Sequence, residues 1–192
     1  MNLSPRTVVF LAGFIAFVTI RGRFARGTRE NVKSVRRVDG TERVLLSLVA
    51  ITALILPVLY LFTPCLAFAD YPLPVAAFWC GLPVMAAALV LFYRSHADLG
   101  LNWSPTLEMR EGHTLVTEGI YRSIRHPMYA AILLFDVAQG LMLANGLAGW
   151  SALAIFLLLY LIRAPREERM MIDAFGDAYR DYARRTGRLL PR

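Results

Sequence analysis

Five apolar blocks constrain this chain more than any other feature. They run over about Leu3–Ile20, Val44–Ala69, Val75–Tyr93, Met128–Ala144 and Leu147–Ile162. A helix that crosses a bilayer needs roughly 17–25 mostly apolar residues. The first three blocks reach that length, although Pro57 and Pro64 interrupt the second. The last two are shorter and are separated only by Asn145-Gly146, a turn signal, so a tight helical hairpin is expected there. Only 18% of the 192 residues are charged, whereas an ordinary soluble domain carries roughly 25%. The expectation is an all-α integral membrane protein of about five transmembrane helices, forming a single domain over residues 1–192. The first block reads as an uncleaved anchor. It lacks a small-residue cleavage pattern, and eight cations follow it.

The charges then set an orientation. Arg21–Arg43 and Arg163–Arg192 each hold eight Lys or Arg residues, Arg94–Arg125 holds four, and Thr63–Pro74 holds none. If the chain crosses at each block, 20 of the 21 cations lie on one side. The positive-inside rule makes that side cytoplasmic, with the N-terminus outside and the C-terminus in the cytoplasm of a cell membrane. The formal charge of +7 therefore reads as a membrane-facing bias, with no nucleic-acid partner expected. The two cysteines, Cys65 and Cys80, form no CxxC and no Cys/His ligand spacing, so no metal is expected. After Ile162, the residues Met171, Ile172, Phe175, Tyr179 and Tyr182 recur at helical spacing between charges. They predict a cytoplasmic amphipathic helix along the membrane face or under the bundle.

Polar chemistry concentrates in residues 94–192, read as the catalytic and cofactor-binding half. One cluster is His113-Thr114-Leu115-Val116-Thr117-Glu118-Gly119-Ile120-Tyr121, followed by Arg125-His126-Pro127-Met128-Tyr129. Pro127 suits the first position of a helix, where its missing N–H costs nothing. The free N–H groups beside it favour an anion or carboxylate. Tyr121 and Tyr129 offer rings on which a base could stack, although interfacial Tyr and His also form aromatic belts. A second cluster, Arg163-Ala164-Pro165-Arg166-Glu167-Glu168, stands where the fifth block leaves the membrane. Arg163 and Glu167 share a helix face if the helix continues, so an ordinary ion pair of snorkelling charges competes with a functional role. Asp136 and Gln139 lie inside the fourth block, where ionisable groups are costly and tend to be functional. Asp136 could equally hydrogen-bond a neighbouring helix. No GxGxxG after a strand and no GxxxxGK[ST] occur, so a nucleotide-like cofactor would sit between helices and loops. No HExxH or Ser-containing elbow supports hydrolysis.

The run HTLVTEGIYRSIRHPMY, a helical hairpin, RAPREE, FGDAYRDY and a terminal RLLP resemble the isoprenylcysteine carboxyl methyltransferases and the related phospholipid methyltransferases. The resemblance covers about Asp98–Pro191, and the helix number fits the small prokaryotic members. It implies S-adenosylmethionine as cofactor, with S-adenosylhomocysteine as product. It carries cofactor contacts to Glu108, His113, Thr114, Leu115, Val116, Tyr121, His126, Pro127, Met128, Tyr129 and Glu167, and a catalytic role on the substrate carboxylate to Arg163. The implied partners are membrane lipid and a lipidic small molecule or prenylated peptide whose carboxylate is methylated. Glu168 is the second catalytic candidate, since methylation of an amine would need a base, for which Glu168 or Asp136 is available. Other readings are a phospholipid amine methyltransferase, a membrane reductase using NADPH (sterol reductases share a similar HPxY helix start), and a non-enzymatic membrane assembly protein.

Overall fold

The structure, a computed structural model, describes residues 5–27, 33–36, 40–100, 108–110 and 114–192, with side chains for 5–25, 40–100 and 114–192. Helix α1 spans Pro5–Gly27, α2 Gly40–Ala50, α3 Leu56–Phe62, α4 Val75–Leu99, α5 Pro127–Met142, α6 Gly146–Phe175 and α7 Asp177–Arg185. Strands β1, Lys33–Arg36, and β2, Glu108–Arg110, pair antiparallel and tie the α1–α2 loop to the α4–α5 loop. Among the described residues, four helices are long and apolar enough to cross a membrane: Pro5–Ala25, Gly40–Phe62, Val75–Leu99 and Gly146–Phe175. The fourth apolar block forms α5, whose 16 residues fall just short of the spanning range.

The Gly40–Phe62 span joins α2 and α3 through a π-helical stretch at Ile51–Ile55, in which the Leu56 N–H bonds the Ile51 carbonyl. Pro57 explains the widened turn. It has no N–H to give, so a regular i→i+4 ladder cannot run through it, and a π-bulge absorbs the fault.

The C-terminal third differs from the sequence expectation in its continuity. Leu147–Ile162 is only the first part of a 30-residue helix that continues through Pro165 to Phe175. Met171, Ile172 and Phe175 therefore extend the last span, and the separate helix begins only after Gly176. The break falls at Gly176, whose φ of +54° is a conformation that glycine adopts without steric penalty. Only Tyr179 and Tyr182 of the expected amphipathic set lie in the short α7, where both are buried.

Helix α5 is the centre of the bundle. On one side, Phe17 of α1 stacks between Phe92 of α4 and Phe135 of α5, with ring centroids 4.1 and 4.3 Å away. On the other, Leu45 of α2 packs with Phe156 and Leu159 of α6, and Tyr129, Ile132 and Leu133 of α5 complete that cluster. The outward positions are apolar too, including Ile15, Ile55, Trp79, Val90 and Leu161. Lipid tails satisfy such surfaces, so helix association depends on close packing more than on water exclusion.

Asn145 builds the α5–α6 hairpin. Its side-chain oxygen accepts from the Leu147 and Ala148 amides at 3.1 and 2.8 Å, a helix N-cap. Its amide group donates to the Leu66 carbonyl and the Asp70 carboxylate at 2.6 and 2.7 Å. Gly140 and Gly149 let the two helices close. A Cβ on Gly140 would stand 2.6 Å from the Trp150 ring. Gly140→Val should therefore lower stability by about 1–3 kcal/mol through overpacking, read as earlier thermal unfolding in detergent. An unchanged midpoint would mean that the Trp150 ring swings away freely.

Candidate functional site

The α4–α5 loop delivers the first cluster to the end of α4. Gly119, at φ +58°, allows the Asp98 carboxylate of α4 to press against it; a side chain here would collide with that carboxylate. Asp98 Oδ2 accepts from the Ile120 amide at 2.8 Å. The following 3₁₀ turn, Gly119–Arg122, buries Tyr121, whose hydroxyl donates to the Ser95 carbonyl at 3.3 Å. Burial, reinforced by the Glu167 carboxylate, pushes the Tyr121 hydroxyl well above its ordinary value, so it stays a neutral donor. Tyr182 of α7 closes the turn by donating to the Tyr121 carbonyl at 2.7 Å. Burial, partly offset by Arg125, pushes its hydroxyl up to about 12.

Pro127 opens α5 with His126 as its N-cap residue. The Arg125 and His126 amides donate to the Gly187 and Arg188 carbonyls at 2.8 and 2.9 Å, so the segment after α7 lies against the helix start as a short added strand. One carboxylate fastens both pieces to α6. Glu168 Oε1 accepts from Arg125 Nε and His126 Nε2, each at 3.2 Å, and from Arg188 Nε at 3.1 Å, while Oε2 accepts from Arg188 Nη2 at 2.6 Å. The paired carboxylate holds the Arg188 guanidinium above its usual range. Arg125 also donates to the carbonyls of Ala183 and Thr186.

The neighbouring acid is arranged differently. Glu167 Oε2 accepts from the Tyr129 hydroxyl at 2.9 Å, linking α5 and α6. One turn earlier, Arg163 Nη1 lies 3.4 Å from Glu42 Oε1 of α2, and both side chains are buried. The ion pair seen for Arg163 thus crosses to another helix.

These groups border one cavity of about 440 Å³, within the size range of small-molecule sites. Thr114, Leu115, Val116, Tyr121, His126, Pro127, Met128, Tyr129, Arg163 and Glu167 all line it. Arg21 and Arg125 add positive charge at the polar end. Leu46, Val49 and Ala53 of the Gly40–Phe62 span and Ile132, Phe135 and Phe156 form apolar walls. Glu168 braces the site from outside the lining. Of the remaining candidates, Glu108 is described only as backbone in β2, and His113 lies outside the described residues. Glu42, Arg21 and Asp98 escape a motif reading. The one available signal for Glu42 is that it is the sole acid in a 23-residue apolar span.

Apolar helices around a cavity lined by both arginines and apolar side chains define an integral membrane protein. Residues 79–173 match the model of the isoprenylcysteine carboxyl methyltransferase (ICMT) family. It is 30% identical over 107 residues to protein-S-isoprenylcysteine O-methyltransferase B of Arabidopsis thaliana, covering 55% of this chain and 54% of that protein. It is 33% identical over 84 residues to the Homo sapiens protein-S-isoprenylcysteine O-methyltransferase, covering 44% and 30%. The matches thus span about half the length of the plant relative and less of the human one. The solved structure of the eukaryotic intramembrane Ras methyltransferase ICMT superposes with a TM-score of 0.60 at 21% identity, over 98% of this chain and 68% of that one. That likeness is one of fold.

Proposed function

We propose that the chain is an S-adenosylmethionine-dependent methyltransferase that esterifies the carboxylate of an isoprenylcysteine-like lipid at the cytoplasmic face of a cell membrane. The observation that carries this reading is the cavity, because its described lining unites the family's cofactor motif with Arg163 and with lipid-depth apolar walls. The donor set suits a zwitterionic, adenosine-bearing cofactor. Tyr121 and Tyr129 present rings, Glu167 presents a carboxylate to hydroxyl or ammonium donors, and Leu115 and Val116 flank them. When bound, that cofactor supplies a methyl group on a sulfonium, an electrophile that needs no acid to activate it.

The chain's own residues then have to position the acceptor. A carboxylate is ionised near pH 7, its ordinary pKa being roughly 4, so no general base is needed. Arg163 would hold one carboxylate oxygen between two N–H groups of its planar face, by charge-assisted hydrogen bonds, and leave the other free to attack. Glu42, behind Arg163, fixes the guanidinium's orientation. Glu168 has both oxygens occupied by the guanidiniums of Arg125 and Arg188, so it acts as a clasp that positions His126 and not as a base. The apolar walls admit the lipid tail sideways between helices, while the cofactor arrives from the cytoplasm.

Equilibrium binding of S-adenosylmethionine, with NADPH as comparison, tests the cofactor. His126→Ala and Glu167→Ala should each weaken S-adenosylmethionine binding by ~10-fold, as expected for loss of one charge-assisted contact. Unchanged affinity in both variants, or selective binding of NADPH, would overturn the proposal. Orientation is tested separately. Reporters fused after Arg192 and inserted within Thr63–Pro74 should give opposite signals, and a shared signal would reject the crossing pattern.

A further inference from the structure

Two turns beyond Tyr129, α5 places Asp136 on the cavity wall. Its side chain is 1% exposed, and neither carboxyl oxygen has a hydrogen-bond partner among the described residues. A buried polar group without a partner is costly, and nearly all such groups in folded proteins are satisfied. The contrast with Gln139, one turn further on, is informative. Gln139 Nε2 donates to the Ala148 carbonyl at 2.7 Å and so joins α5 to α6, whereas Asp136 joins nothing. Its carboxyl borders the part of the cavity walled by Phe17, Ile132, Phe135 and Phe156, where a hydrocarbon chain alone would leave it unpaired.

We infer that Asp136 binds a hydroxyl group carried on the hydrocarbon chain of the substrate, so that the preferred methyl acceptor is a hydroxylated lipid carboxylate. The inference rests on the lipid-carboxylate reading above and narrows it to a substrate class. A hydroxyl serves either protonation state of the carboxyl group: it donates to a carboxylate, and it both donates to and accepts from a carboxylic acid. An ammonium would pair only with the ionised form and would meet the guanidiniums of Arg21, Arg125 and Arg163 in the same cavity. Seven residues of helix separate Asp136 from Tyr129, about 10 Å at 1.5 Å per residue. That spacing puts the hydroxyl near the middle of the chain, well away from the carboxylate.

The test is equilibrium binding of 10-hydroxystearate and of stearate to the purified full chain in detergent, independent of any turnover. The wild type should bind the hydroxylated acid ~10-fold more tightly, the effect of satisfying one buried polar group. Asp136→Leu should erase or invert that ratio, and Asp136→Asn, which keeps an acceptor and gains a donor, should retain part of it. Equal affinities in the wild type would overturn the inference whether or not Asp136→Leu folds, and would show that solvent alone satisfies the carboxyl. An unchanged ratio in a folded Asp136→Leu variant would overturn it as well. Loss of the methyltransferase reading shows differently, as no S-adenosylmethionine binding and no ester formed on either acid.

Discussion

Arg163→Lys should bind S-adenosylmethionine nearly as well as the wild type, yet transfer methyl groups ~10²-fold more slowly, the scale expected when a near-attack geometry is disturbed. Lysine keeps the charge but loses the planar, two-pronged donor face that matches a carboxylate. The arrangement at Glu42 sharpens the expectation. Arg163 Nη1 faces Glu42 Oε1 at 3.4 Å, and Arg163 also lines the cavity. If Arg163 served only to pair α6 with α2, the lysine variant would lose thermal stability while turnover per bound cofactor stayed normal. If it orients the acceptor, stability changes little and turnover collapses. Both quantities are measurable on one preparation with a prenylcysteine analogue as acceptor, and normal turnover would remove Arg163 from the chemistry. Glu42→Gln should fall between these limits, because it keeps the shape while loosening the hold on the guanidinium.

Glu168→Ala should be the most destabilising single change around the α5 start. The side chains of Glu168, Arg125 and His126 are only 13%, 11% and 7% exposed, and removing one partner of a buried ion pair typically costs about 3 kcal/mol or more. Arg188 is half exposed, so its share is small. The expected signature is a lower unfolding temperature in detergent together with faster proteolysis around Gly187–Arg188, whose carbonyls would lose part of their hold on the α5 start. Cofactor affinity should fall with it, because His126 loses its anchor. A variant with wild-type stability and protease resistance would show that the backbone bonds of residues 187–188 suffice without the clasp.

The apolar blocks made most of the fold legible. The Asn145-Gly146 turn and the position of Pro127 at a helix start can be read from local propensity, and both recur in the structure. The continuity of α6 could not be read so easily. Pro165 is an ordinary stop signal, and only packing against α2, α5 and α7 carries the helix past it. The same holds for Arg163. Spacing along one helix points to Glu167, but the pair that forms crosses to Glu42, 121 positions earlier in the chain. Such partners have no local signature. Glu42 looks like an ordinary first-turn acid, and Arg21 like a snorkelling charge at a helix end. The motif residues near Tyr121 and His126 were visible because they are clustered, whereas the groups that complete their surroundings are scattered over α1, α2 and α4.

The strand-like addition of residues 187–188 beside the start of α5 bears on how the molecule is made. All the apolar helices are synthesised before Gly187 and Arg188. The α5 start and the Glu168 clasp are therefore finished only after the last span has been made. Membrane insertion and assembly of the pocket become separable events, and a nascent chain already seated in the lipid would still have an open pocket rim.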